Sequence, residues 1–231
     1  MCSSTARSLR SLVLCVSQKN FLKPDVRLCS RPPYIDHQRI KPVAAPHGQT
    51  HISDYLGATG LTADDPSVAN DRVLPPLYCA AFEIDEKMLW LSDVSTFPDA
   101  MMKQLKADRP YGSEDVYDVV ALDLTNLKES GSHIGITGFC QAVLRFRAKQ
   151  TLAVQMTHEI DAYGLDNLGE MIRGGERDHA RDEWFEKAWA HISRVHHLWD
   201  DLQNVQPFIR AAYDGLRLSL SDGTIKEVTP K

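Results

Sequence analysis

The chain has 231 residues, 43% of them hydrophobic and 25% charged, with a formal net charge of -5. That composition suits a globular protein with one large core or two small ones, and no apolar run approaches the roughly 18 residues of a membrane helix. Residues 1–45 hold eight Lys and Arg against two acidic residues, the remainder eighteen against twenty-nine, so the body is acidic, does not suit phosphate-backbone binding, and no nucleic-acid or membrane partner is expected.

The first stretch, MCSSTARSLRSLVLCVSQKNFLKPDVRLCS, is rich in Ser and Arg and carries a single acidic residue, Asp25. Leu9, Leu12, Val13 and Val16 fall at helical spacing, which together with that composition reads as an organellar transit peptide over residues 1–31, or else as a disordered extension. The location expected from it is mitochondrial or cytoplasmic. Five cysteines (Cys2, Cys15, Cys29, Cys79, Cys140) are widely spaced with no C-x-x-C pair, so neither a disulfide framework nor a cysteine zinc site is predicted. Cys79 and Cys140 sit in apolar runs and read as inert buried thiols.

RPPYIDHQRIKPVAAPHG (31–48) is Pro-rich and reads as extended, a linker or first edge strand. Strands are predicted at 77–84, 87–92, 116–124, 140–147 and 150–157. A helix is predicted over 97–110, between Pro98 and Pro110. From Leu165 the pattern turns helical: Phe185, Trp189, Ile192, His196 and Trp199 recur every three or four residues, predicting an amphipathic helix over 182–202 that Pro207 ends, then a short helix to Leu216. Asp222-Gly223 between two alternating runs predicts a hairpin turn. The class is α+β.

One triplet recurs. Glu83-Ile84-Asp85 and Glu159-Ile160-Asp161 lie 76 residues apart, each followed by a leucine, Leu89 and Leu165, and GLT (60–62) meets GIT (135–137) upstream. A duplicated unit of that length suits a β-α-β-β-α-β half. PPLYCAAFEID and GFCQAVLRFRAKQTLAVQMTHEID (138–161) resemble the strand pairs of EthD-like proteins of the dimeric α+β barrel superfamily. The resemblance implies two tandem ferredoxin-like halves forming a pseudo-dimeric α+β barrel, residues 32–112 and 113–231, the second carrying the C-terminal helices. It also implies a cavity for a small hydrophobic or aromatic ligand and cofactor-free cyclisation or isomerisation.

Such chemistry needs a proton-transfer group near neutral pKa. His158 is the leading candidate, alternating with Met156 and Val154 along its predicted strand; a strand-end histidine that is merely hydrogen-bonded is the other reading. His51 and Tyr55 are the further candidates. His47 and His51 would sit one turn apart on a helix and could then share a metal, but the local sequence supplies no third ligand; surface histidines on a loop are the plainer reading, and no metal or cofactor is expected. His179, Asp182, Glu183 and Glu186 share a helical stripe that reads as a solvated face. A non-catalytic organellar accessory or assembly protein, docking through its Trp-containing helix, is the alternative function.

Overall fold

The structure is a computed structural model that describes residues 12–15, 40–48, 78–107, 116–213, 216–221 and 224–227. In chain order its elements are β1 (Leu12–Cys15), β2 (Ile40–Pro46), β3 (Tyr78–Ile84), β4 (Met88–Leu91), α1 (Asp99–Gln104), β5 (Val119–Asp123), α2 (Ile136–Phe146), β6 (Gln150–Val154) and α3 (Ala162–Ile172). A 3-10 turn (His179–Arg181), α4 (Asp182–Ile192), α5 (Leu198–Val205), β7 (Ile209–Ala211), β8 (Arg217–Ser221) and β9 (Thr224–Glu227) follow. The chain divides into two units. One, Gln38–Ala211, carries a six-stranded sheet in the order β2-β3-β4-β5-β6-β7; the other, Met1–His37 with Ala212–Lys231, carries a three-stranded antiparallel sheet, β1-β8-β9.

In the larger unit β2, β3 and β4 pair antiparallel, and β4, β5, β6 and β7 then pair parallel in succession. The β3–β4 connection is tight because Asp85 and Glu86 both take positive φ, 51° and 58°, the pattern of a type I′ turn. Because two antiparallel steps restore the direction, β2 runs the same way as β4 to β7. All five strands therefore end at one edge of the sheet, where open α/β sheets gather ligand-binding groups.

The core explains the strands. Every residue of β5 and of β6 is buried, as parallel strands covered on both faces require. Leu89, Leu91, Val120, Leu122 and Ala153 join one apolar cluster with Phe139, Val143 and Phe146 of α2, Leu165 and Leu168 of α3, and Ala188 and Ile192 of α4. A polar contact is enclosed with them: the Tyr117 hydroxyl donates to the buried Glu83 carboxylate, joining β3 to the approach of β5.

These observations correct the tandem ferredoxin-like barrel and the EthD-like resemblance. Such a barrel needs two equivalent sheets, whereas one mixed sheet runs without a break from β2 to β7, pairing β4 with β5 across the expected boundary at 112 and 113. The repeated triplet is not a duplication. Glu83-Ile84-Asp85 closes β3, while Glu159-Ile160-Asp161 lies beyond β6, where Asp161 caps α3 by accepting the Tyr163 N–H at 3.0 Å. The predicted strand at 140–147 is the helix α2, whose Ile136, Phe139, Cys140, Val143 and Phe146 are buried at three- and four-residue spacing. The single amphipathic helix expected over 182–202 is two helices, α4 and α5, with His197 in the left-handed region starting α5; the short helix expected after Pro207 is the strand β7. Leu12–Cys15 pairs with β8 as a strand, despite the helical spacing of Leu9, Leu12, Val13 and Val16. At the other end, Ser221 lies opposite Thr224, as a hairpin requires, although Asp222 and Gly223 lie outside the described residues. No helix among the described residues is long and apolar enough to cross a membrane.

Two contacts dock β7 on α3. A Cβ added to Gly169 would meet the Ile209 carbonyl oxygen at 2.4 Å, so helix and strand touch through backbone. The Asp166 carboxylate accepts the Ala211 N–H at 2.6 Å. Burial pushes the Asp166 pKa above the ordinary carboxylate value; Glu170 pushes the same way, and the Ala211 N–H and Arg210 only partly offset them.

Gly169→Ala should lower Tm despite alanine's better helix propensity, since the new methyl group has backbone in its place; thermal unfolding of the variant checks this. A carboxyl whose folded pKa lies above its unfolded one binds its proton more tightly when folded, so the stability it contributes is lost as pH rises through that interval. Asp166→Asn, which keeps an acceptor for Ala211 and removes the charge, should therefore raise Tm at pH 7 relative to wild type, with the gain shrinking as pH falls below the folded pKa; Tm measured from pH 3 to 7 reads the trend.

Candidate metal centre

The carboxyl edge of the sheet brings three distant parts of the chain together. His47 follows β2 by one residue, Asp93 lies two residues beyond β4, and His133 stands in the connection from β5 to α2. Backbone bonds hold these three segments in place: the Ser95 N–H donates to the Pro46 carbonyl at 2.8 Å, and the Ile134 N–H donates to the Val94 carbonyl at 3.0 Å. Next to His47, Gly48 has a φ of +92° that favours glycine, and it lies so close to the Gly131 carbonyl oxygen that a Cβ would be 2.0 Å from it.

Asp123, the last residue of β5, organises the loops from below. It is fully buried. One of its oxygens, Oδ2, meets His133 Nδ1 at 2.7 Å and accepts the Val94 N–H at 3.4 Å; the other accepts the Thr125 hydroxyl at 2.7 Å. Burial pushes the Asp123 pKa up, against the lowering effects of Thr125, His133 and Val94. A carboxylate can only accept, so the bond to Nδ1 assigns the imidazole proton there and leaves Nε2 with a free lone pair. A carboxylate behind a histidine in this way is the usual support of a metal-ligating imidazole.

His47, Asp93 and His133 offer one donor atom each, all within 4.8 Å of one another. The His47 and His133 rings stand edge to face with centroids 5.1 Å apart. His47 Nδ1 is buried and has no hydrogen-bond partner among the described residues. An unsatisfied buried ring nitrogen costs about 1–3 kcal/mol, which a bound cation would offset. Two imidazoles and one carboxylate are the donor set of a zinc-like divalent ion with an open position. Tetrahedral ligands about 2.0–2.2 Å from a metal lie about 3.4 Å apart, so the three side chains need to close inward only slightly. The residues present fit such an ion.

Two side-chain donors converge on Asp93. Its Oδ2 accepts the Ser92 hydroxyl at 3.2 Å and the Gln155 amide at 3.4 Å. Cys79, on the neighbouring β3, is half-buried, and its thiol pKa is raised first by burial and then by the Asp93 charge. Cys140, fully enclosed in α2, is pushed up to about 12 by burial.

Of the residues assigned from sequence, His51 and Tyr55 lie outside the described residues. His158 is not on a strand: β6 ends at Val154 and His158 is exposed in the turn that follows. It borders a cavity of about 660 Å³ together with Lys128, Arg181, Trp184 and His191. Among the described residues, the neighbours of His47 are Asp93 and His133, distant from it in the chain. The signal that sequence does carry is the aspartate at the end of an entirely apolar strand, Asp123 after VVAL, and another two residues beyond MLWL.

No family model and no curated protein sequence matches the chain. Among solved structures, a diphosphatase from the PhnP family is similar at a TM-score of 0.41 with 17% identity, covering 78% of this chain and 43% of that one. The metallo-beta-lactamase fold protein YhfI from Bacillus subtilis is similar at a TM-score of 0.39 with 10% identity, covering 79% of this chain and 49% of that one. The chain thus spans less than half the length of either. The cofactor-free cyclase or isomerase expected from the barrel falls with the barrel itself.

Thiol reactivity tests the local environment. With iodoacetamide at pH 7.5, peptide mapping should show slow modification of Cys79 and none at Cys140 until the protein is unfolded, because only the thiolate reacts and one thiol is enclosed.

Proposed function

We propose that the protein binds a zinc-like divalent metal ion on His47, Asp93 and His133 and serves as a metal-dependent hydrolase. The observation that carries this is the convergence of three ligand-type side chains at the carboxyl edge of the sheet, one of them a histidine whose buried Nδ1 has no hydrogen-bond partner among the described residues. It rests on the donor set, not on the structural likenesses, whose TM-scores are too low to bear on activity.

The protein's own groups have definable parts. His47 would contribute Nδ1 and His133 Nε2, while Asp93 would add the negative charge that favours a divalent over a monovalent cation. Asp123 holds the His133 proton on Nδ1 and fixes the ring plane, so that the ligand nitrogen is presented without reorganisation. A zinc-like ion held by these three side chains would act as a Lewis acid and activate water for hydrolysis at neutral pH.

Titration of the metal-stripped full chain with Zn2+ by calorimetry should give one site per chain, and His47→Ala or Asp93→Ala should abolish it. Asp123→Asn should weaken it by about 10–100-fold, the usual loss when a carboxylate behind a ligating histidine is changed. Hydrolysis of chromogenic ester and phosphodiester substrates should require the metal and vanish on chelation. Binding that survives all three substitutions would place the metal elsewhere and overturn the reading.

A further inference from the structure

We infer that Gln155 is a positioning residue for Asp93, holding one carboxylate oxygen so that the other faces the metal; this rests on the metal-centre reading above. Six non-glycine residues among those described take positive φ. Asp85 and Glu86 form the β3–β4 turn, Arg147 and Gln206 close α2 and α5, and His197 starts α5. Each of those five positions has a turn or helix end to account for it. Gln155, at φ 58°, is different: it lies immediately after β6, at neither a hairpin turn nor a helix end. Left-handed backbone is unfavourable for a residue with a long side chain, and such strain gathers where a site over-determines geometry.

What the conformation achieves is visible in the side chain. From the end of β6, across β5, the Gln155 amide Nε2 reaches Asp93 beyond β4 and donates to Oδ2 at 3.4 Å, the oxygen that also accepts the Ser92 hydroxyl. With two donors on Oδ2, Oδ1 is the oxygen whose lone pairs remain for a cation. A carboxylate held this way favours ligation through one oxygen over chelation through both. A neutral amide is the group best suited to this position, because a Lys or Arg would compete with the cation for Asp93, and a carboxylate would repel it when no metal is bound.

The experiment compares wild type, Gln155→Gly and Gln155→Asn as full chains, stripped of metal and titrated with Co2+ alone. Both replacements tolerate left-handed backbone; glycine has no amide, and asparagine is one methylene too short to reach. Expected for both variants are a Tm without metal equal to or above that of wild type, a Co2+ Kd raised by about 10-fold, and weaker visible absorption bands as Asp93 becomes bidentate and the coordination number rises. Affinity within twofold of wild type in either variant, or a fall in Tm accompanying the loss of affinity, would show that Gln155 only shapes the chain and would overturn the inference. Failure of wild type itself to bind Co2+ would be a different result, overturning the metal-centre reading and this inference with it.

Discussion

The carboxylate of Asp123 is the point on which the candidate site depends. A buried carboxylate is unfavourable unless its lone pairs are used, and here the three groups that use them come from three parts of the chain: Val94 after β4, Thr125 just past β5, and His133 before α2. The cost of enclosing Asp123 is thereby offset only when these segments are gathered in one arrangement. Thr125 carries the order one step further, since its carbonyl accepts the Thr157 N–H at 3.1 Å and the Thr157 hydroxyl at 2.8 Å, tying the segment after β6 to the same node. The ends of β4, β5 and β6 are thus cross-linked by polar bonds above a core that is otherwise apolar.

That division of labour explains why the strands and the site differ in how far they are legible in the sequence. β3, β4 and β5 are legible within a few residues because the local pattern and the tertiary environment agree: apolar runs bounded by turns become buried strands. α2 is not, although Ile136, Phe139, Cys140, Val143 and Phe146 keep the helical spacing throughout. Its aromatic and aliphatic residues suit a strand equally well, and the EthD-like resemblance favours the strand. β7 escapes notice for the converse reason. Only three residues long, it is a strand because Ile209 and Ala211 find partners on β6 and α3, which no local propensity reports.

The repeated Glu-Ile-Asp shows the same limit at the scale of a motif. Glu83 is buried against Tyr117, and Asp85 takes part in a turn. Glu159 is exposed, and Asp161 caps a helix while pairing with Arg181 at 3.1 Å. Identical residues acquire unrelated roles because role is set by partners, and the partners differ. The candidate metal ligands are the sharper instance. His47 stands out in the sequence for its neighbour His51, whereas its neighbours among the described residues are Asp93 and His133, and their proximity follows from strand order. Two antiparallel steps from β2 to β4 and one parallel step to β5 bring the three ends to a single edge, information that resides in the pairing and in no short stretch of sequence.

The same geometry accounts for where the backbone is bent out of its preferred shape. A ladder of parallel strands delivers side chains alternately to its two faces, so a residue needed at the edge itself is best supplied just after a strand, where the chain is free of the ladder. His47, Asp93 and Gln155 all sit one or two residues past a strand end. Asp123 alone is taken from within a strand, and it is the one kept wholly from water. The arrangement therefore separates two requirements that conflict in a single residue: a buried, inflexible anchor in the sheet, and donors beyond it with enough freedom to close on a small cation.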